Sequence, residues 1–233
     1  MRQLPLSVRL RDRALFESFL PGPNGPALAQ IQALAEHPRS GLVWLHGPEG
    51  SGKTHLLQAL CARAGAGSVY VPLSQLAAYG AAALADWQGA QWLCLDEAAS
   101  AIGELEWERA LFGLYRDCEE RGASLLMAAR AAPPQLPFVL PDLASRCAAG
   151  HRLRLCALDE DEQCAALRLR AQQRGFDLPE ETARYLQRRL PRDMSSLFAV
   201  LDELDTAALA AQRRLTVPFI RGVLAQRASA PQG

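Results

Sequence analysis

The run Gly47-Pro48-Glu49-Gly50-Ser51-Gly52-Lys53-Thr54 restricts what this chain can fold into more than any other segment. Its G-x-x-x-x-G-K-[ST] spacing grips phosphate only where a strand runs in and a helix leaves. Glycines let backbone N–H groups fold inward around an anion, and the helix N-terminus adds donors and a positive dipole end. Both neighbours are legible. Residues 41–46 form a short apolar run that reads as a buried strand, and from Lys53 to Arg63 the apolar residues recur at helical spacing. In such a loop Lys53 reaches the β- and γ-phosphates, and the Thr54 hydroxyl ligates Mg²⁺. Lys53 is the only lysine among 25 basic residues, every other one being arginine. A compact ammonium on a flexible stem is thus reserved for the position where a planar guanidinium does not substitute.

The same alternation continues along the chain. Residues 26–36 read as a helix, 68–72 as a second strand, 73–86 as an alanine-rich helix and 91–95 as a third strand. A helix over 104–121, a fourth apolar run at 123–128 and a fifth candidate strand at 151–156 follow. Short, nearly all-apolar strands alternating with helices predict a parallel sheet covered on both faces. Beyond Ala157 the composition turns to Arg, Glu, Asp and Leu, with start and stop signals at Asp159, Gly175, Pro179 and Pro191 for three or four helices.

A phosphate loop of this kind needs an acidic partner for its metal, usually at the end of a buried strand. Trp92-Leu93-Cys94-Leu95-Asp96-Glu97 supplies it: Asp96 is placed to hold Mg²⁺ through water, and Glu97 to orient or deprotonate an attacking water. An Asp-Glu pair is also a common way to leave a strand, so its meaning comes from its place after the loop.

At 233 residues, 49% of them hydrophobic, the chain can bury one sizeable core, or a core and a satellite. Its 25 acidic and 25 basic residues cancel, leaving no overall field of the kind that non-specific nucleic-acid binding uses. Six cysteines without a C-x-x-C pair or His/Cys cluster argue against structural zinc and disulfides. No apolar run reaches about 18 residues and no hydrophobic leader follows Met1, so the expected place is the cytoplasm, with no membrane partner.

The order of phosphate loop, Asp-Glu strand end, fourth strand, Pro141-Asp142-Leu143-Ala144-Ser145-Arg146 and helical C-terminal third resembles the AAA+ ATPases, and within them the DnaA-related branch. The resemblance runs from Gln3 to about Gln226. Its other specific parts are Gln3-Leu4-Pro5-Leu6, Phe16-x-x-Phe19-x-x-Gly22-x-Asn24 and Arg192-Asp193-Met194-x-x-Leu197. It implies an α/β fold in which a P-loop parallel sheet is flanked by helices and followed by a helical lid subdomain. The implied segments are an extended clamp-binding stretch at 1–12, the nucleotide-binding domain at 13–157, the lid at 158–227 and a disordered tail at 228–233.

Site roles follow from the same resemblance. Phe19 and Asn24 would lie against the base and ribose, and His55 would join the phosphate loop. Arg192 would act as a sensor folded over the phosphates of its own nucleotide. Arg146, following the fourth strand and a short helix, would reach in trans to the nucleotide of a neighbouring subunit, completing a catalytic set with Asp96 and Glu97. The implied cofactors are ADP or ATP with Mg²⁺ held by Thr54 and Asp96. The head, with Gln3 as amide anchor and Leu4 and Leu6 as apolar plugs, is similar to the motif that docks on the sliding clamp, the beta subunit of DNA polymerase III. One departure stands out: where the family places a polar residue at the end of the fourth strand, this chain has Ala128 and Ala129 before Arg130. The resemblance also leads one to expect a basic recognition helix in an initiator, and none follows Val223-Leu224, so sequence-specific DNA binding is not expected. The reading that emerges is a negative regulator of replication initiation, with DnaA and the DNA-loaded clamp as partners and self-association left open. The alternative is an autonomous AAA+ ATPase such as a helicase loader. A small-molecule kinase fits the lid and the Arg146 segment less well.

Overall fold

A computed structural model of the protein describes residues 14–87, 89–190, 193–211 and 216–229. Gln3, Leu4, Leu6 and Arg192 lie outside the described residues. By internal contacts the chain divides into two compact units. The first comprises residues up to Phe19, Asn24–Gly47 and Gly52–Leu155; the second comprises Leu20–Pro23, Pro48–Ser51 and Cys156 onward.

The first unit is built on five strands, β1 (Gly41–His46), β2 (Ser68–Pro72), β3 (Trp92–Asp96), β4 (Ser124–Ala129) and β5 (His151–Arg154). They lie in the order β2-β3-β4-β1-β5, with every pairing parallel. Parallel neighbours require crossovers, and α2 (Lys53–Ala64), α3 (Leu73–Leu76), α4 (Leu105–Arg121) and α5 (Pro141–Ala149) lie on them, while α1 (Gly25–Glu36) precedes β1. The pleat sorts the strand residues by parity. Leu42, Trp44, Leu93, Leu95, Leu125 and Met127 enter one core with α4 and α5, whereas Val43, Leu45, Cys94, Leu126 and Leu153 enter the other with α1 and α2. Burial on both faces explains why the inner strands β1, β3 and β4 read as nearly continuous apolar runs. Two indoles, the buried Trp44 and the half-buried Trp92, tie strands to the surrounding chain: Trp44 Nε1 donates to Ala131 O at 3.0 Å, and Trp92 Nε1 to Leu34 O at 2.7 Å.

Two sequence expectations are corrected. Residues 73–86 do not form one helix; α3 gives way to 3₁₀ turns at Ala77–Tyr79 and Ala81–Trp87, separated at Gly80 with φ +77°. Leu73, Leu76, Ala81 and Leu84 are all buried. An unbroken helix turns about 100° per residue, so five steps from Leu76 to Ala81 would carry Ala81 well away from the core face. The break resets the phase, and packing overrides alanine's helix propensity. The fifth strand stops at Arg154 instead of 156, because its partner β1 ends at His46; a last bond, Leu155 N to His46 O at 2.7 Å, closes the ladder.

The second unit contains α6 (Glu160–Gln173), α7 (Glu180–Arg189), α8 (Met194–Ala211) and α9 (Val217–Ser229), four helices among the described residues. Asp159 caps α6 reciprocally with Glu162: each side chain accepts from the other's backbone N–H at 2.8 Å. Leu167, Leu186, Leu197, Leu201 and Ile220 form its core. Asp202 on α8 receives Arg170 at 3.2 Å and Arg174 at 2.8 Å, pinning α6 to α8 beside that core.

Candidate functional site

The C-terminal end of β1 delivers the chain into the phosphate loop. Gly47 is buried there, and Ser51 N turns back to Pro48 O at 3.3 Å. Pro48 and Glu49 are exposed, while Gly50 is half-buried. Gly52 precedes α2 at φ +96°, a left-handed value that sends the chain straight into the helix. The first N–H groups of α2 have no acceptor earlier in their own helix, so they are presented at the loop. Lys53 Nζ donates to Gly47 O at 2.8 Å, which ties the ammonium to the residue that leaves β1.

Phe19 forms the wall of this site. A Cβ built on Gly52 would stand 2.5 Å from Phe19 Cε2. Gly52→Ala therefore meets both a strained φ and a ring that must move, and is expected to cost about 2–4 kcal/mol. Urea unfolding followed by tryptophan emission checks this, since Trp44, Trp87, Trp92 and Trp107 all lie in the first unit. His55 serves the same wall. Its Nε2 lies 2.8 Å from Leu15 O and 3.2 Å from Ser18 Oγ, and its ring is 5.6 Å from that of Phe19. The imidazole clips the N-terminal 3₁₀ turn Phe16–Ser18 to α2, a job that its place after Thr54 did not signal. Asn24 is almost fully buried at the start of α1.

Asp96, at the end of β3, is 3% exposed and accepts two hydroxyls on Oδ2: Thr54 Oγ1 at 2.6 Å and Tyr70 OH at 2.9 Å. Its Oδ1 accepts the Glu97 backbone N–H at 2.9 Å. Parallel register sets the tyrosine's place, because Tyr70 on β2 pairs with Cys94 on β3, two residues before the carboxylate. Burial and then the neighbouring Asp96 push the Tyr70 phenol far above its ordinary pKa, so it stays a neutral donor. Sequence reasoning missed Tyr70; its signal was a lone hydroxyl-bearing ring between the two valines of β2. Glu97 is the one described non-glycine residue at positive φ, +55°. Ser74 Oγ donates to Glu97 Oε2, and Glu97 O accepts both the N–H and the hydroxyl of Ser100 at 2.9 and 2.8 Å. A carboxylate held at a sparsely populated backbone position is overdetermined by its surroundings, as active-site residues often are.

The donor set suits magnesium. Asp96 and Thr54 bring hard oxygens together at one point, and no cluster of three or more metal-binding side chains exists among the described residues. A cation here would take phosphate oxygens and water for its remaining places. At the end of β4, beside His46 and Leu45, Ala129 and Ala128 are buried, so those positions offer no polar group.

His46, the last residue of β1, has its pKa lowered by burial and then by Arg154, Arg152 and Lys53. The folded value lies below the ordinary 6.5, so the folded form keeps its full advantage above pH 6.5 and loses it as pH falls through the folded value. His46→Gln is expected to give a shallower fall in Tm between pH 7 and pH 5, measured by thermal unfolding in buffers of equal ionic strength.

Arg146 lies within α5, after β4 and the 3₁₀ turn Pro133–Gln135, and is exposed. Its guanidinium sits 5.8 Å from the Tyr115 ring centroid on α4, a cation–π contact, and Tyr115 OH donates to Glu119 at 2.8 Å. Seven residues before Tyr115, the fully buried Glu108 accepts backbone N–H groups from Gly103 at 2.8 Å, Val139 at 3.0 Å and Leu140 at 2.6 Å. Val139 and Leu140 lead directly into α5, so α4 holds that helix at its entrance and again at Arg146. Arg146 borders the same cleft as Gly41 and Leu42, at the entry end of β1. Lys53 follows the exit end. The intervening strand of six residues spans roughly 16–20 Å. Asp96, Thr54 and Lys53 are thus gathered at one end of the sheet, and Arg146 is placed at the other.

Residues 159–224 match the family model for the Hda lid domain, and residues 10–70 match that for the bacterial DnaA ATPase domain. Among solved structures, domain III of Thermotoga maritima DnaA is 19% identical, with TM-score 0.79, over 93% of this chain and 97% of that one. A replication initiator DnaA bound to AMPPCP and single-stranded DNA is 19% identical with TM-score 0.68, over 84% of this chain and 66% of that one. Thermotoga maritima RuvB is 16% identical with TM-score 0.66, over 92% of this chain and 72% of that one. At these identities the structural likenesses speak for the fold. No described helix is long and apolar enough to cross a membrane. With the front of the chain matching one DnaA-type model, the helical C-terminal part matching the Hda lid and the fold shared with DnaA and RuvB, this chain is a Hda- and DnaA-like AAA+ protein.

Proposed function

We propose that this protein is a negative regulator of replication initiation, which holds an adenine nucleotide in its own phosphate loop and uses Arg146 to promote ATP hydrolysis by DnaA. The observation that carries the reading is the separation of Arg146 from Lys53 by the length of β1. An arginine at the far end of the sheet serves a nucleotide held by another molecule. The nucleotide class is supported by the Asp96-Thr54 pair, and by the DnaA structures bound to AMPPCP that share this fold. Magnesium, held by Thr54 and Asp96 with phosphate oxygens, would neutralise phosphate charge in that loop. Phe19 and Asn24 would border the base, and Arg192 the phosphates. Gln3, Leu4 and Leu6 would hold the protein on the DNA-loaded sliding clamp, concentrating it where DnaA is to be inactivated.

Titrating the protein into ATP-bound DnaA, with and without clamp loaded on DNA, tests this directly. Hydrolysis should accelerate with added protein, more steeply when clamp is present, while the protein alone turns over little ATP. Equal, appreciable turnover with or without DnaA would instead support an autonomous ATPase. One observation favours that second reading: Glu97 is held beside Asp96 by Ser74, as an attacking water's base would need to be. The buried alanines at the end of β4 weigh against it.

A further inference from the structure

At the entry end of the sheet, a cleft of about 480 Å³ opens between α1, α5 and the first residues of β1 and β5. Leu34, Leu42 and Val43 give it an apolar floor. Its rim carries Arg39, Arg146 and His151, whose imidazole bonds to Gln30; among the described residues no acidic side chain lines it. Neither Arg39 nor Arg146 forms an ion pair with a described residue. Arg39 is also fixed at its backbone. Its N–H donates to Ser124 Oγ at 2.8 Å, and the same hydroxyl donates to Arg39 O at 2.9 Å. Ser124 is fully buried at the first position of β4, so an interior hydroxyl spends its bonding on holding one exposed arginine in place.

We infer that this cleft is a docking surface for an acidic segment of the nucleotide-bearing partner protein, with Arg39 as the anchoring cation. The inference rests on the reading that Arg146 acts on a partner's nucleotide, and it separates binding from chemistry on that face. With Arg146 reserved for the nucleotide, the Arg39 guanidinium, which has no counter-ion among the described residues, stands at an apolar hollow and matches a carboxylate that arrives from outside. The hollow takes a few side chains, and its cations are gathered in a pocket on a chain of zero net charge, where a nucleic-acid site would need a basic stripe along the backbone. A contact made equally before and during hydrolysis changes how much protein is needed. A contact made to charge developing during hydrolysis changes how fast the complex turns over.

The experiment titrates full-length protein into ATP-bound DnaA and reads the half-saturating concentration and the plateau rate. Arg39→Glu should raise the half-saturating concentration about tenfold, with the plateau within about twofold of the parent, and the gap should narrow as salt is added. An unchanged half-saturating concentration overturns the inference. So does an Arg39→Glu variant that loses self-association or single-stranded DNA binding while engaging DnaA normally, because the occupant is then a second copy or a nucleic acid. Arg146→Ala, run alongside, tests the underlying reading by its plateau. If that plateau persists, Arg146 is not the trans group, while the Arg39→Glu shift in half-saturation still decides docking.

Discussion

Replacing Arg146 with alanine should lower the protein's stimulation of ATP hydrolysis by DnaA about 10³-fold or more, the range measured for arginine groups supplied in trans. The size of the effect comes from where charge develops. During transfer the γ-phosphoryl oxygens and the leaving oxygen gain negative charge, and a guanidinium placed against them stabilises that state more than the bound substrate. Arg146 is suited to this because it is exposed and its side chain leans on Tyr115 instead of an acid. The substitution removes one surface side chain, so the protein's own nucleotide affinity and Tm should stay close to the parent. Single-turnover hydrolysis of radiolabelled ATP on DnaA, with nucleotide affinity and Tm measured in parallel, checks all three. Loss of nucleotide binding together with stimulation would indicate a folding defect and leave Arg146 without a special role.

Glu108→Ala should destabilise the first unit by about 3–5 kcal/mol. The carboxylate is fully buried and three backbone N–H groups from two loops converge on it. Each donor left without a partner costs about 1–3 kcal/mol, and a water entering the vacated space would recover part of that. Glu108→Gln keeps the shape and one acceptor oxygen but turns an amide NH₂ toward an N–H, so a loss of about 1–2 kcal/mol is expected. Urea unfolding read by tryptophan emission measures both, with Trp107 next to the altered site. Because Val139 and Leu140 open α5, stimulation of DnaA should fall in the glutamine variant even at temperatures where it is fully folded. A glutamine variant with parental stability would show that the three N–H groups find other acceptors.

Much of this molecule was legible before any coordinates. Apolar runs and a fifth candidate strand alternating with helical patterns required a parallel sheet; β1 and β2 have the expected bounds, and the other three strands differ by one or two residues. The loop at Lys53 and the carboxylate at Asp96 carried their own chemistry, because glycine spacing, a strand end and one lysine among arginines are local facts. The segment 73–86 misled because alanine content reports helix propensity, whereas the burial of Leu73, Leu76, Ala81 and Leu84 on one core requires a break at Gly80.

What the chain alone determined, then, is the kind of fold, with the Gly47–Thr54 loop between a strand and a helix and Asp96 at a strand end, since these are written in residues close together along the sequence. Tertiary structure decided the rest. Tyr70 meets Asp96 only because β2 lies beside β3, Glu108 gathers N–H groups from positions 31 and 32 residues away, and Arg39 joins Arg146 only where α1, β1 and α5 come together. Such contacts leave no periodic trace in sequence, because strand order and helix packing, not spacing along the chain, set which side chains become neighbours.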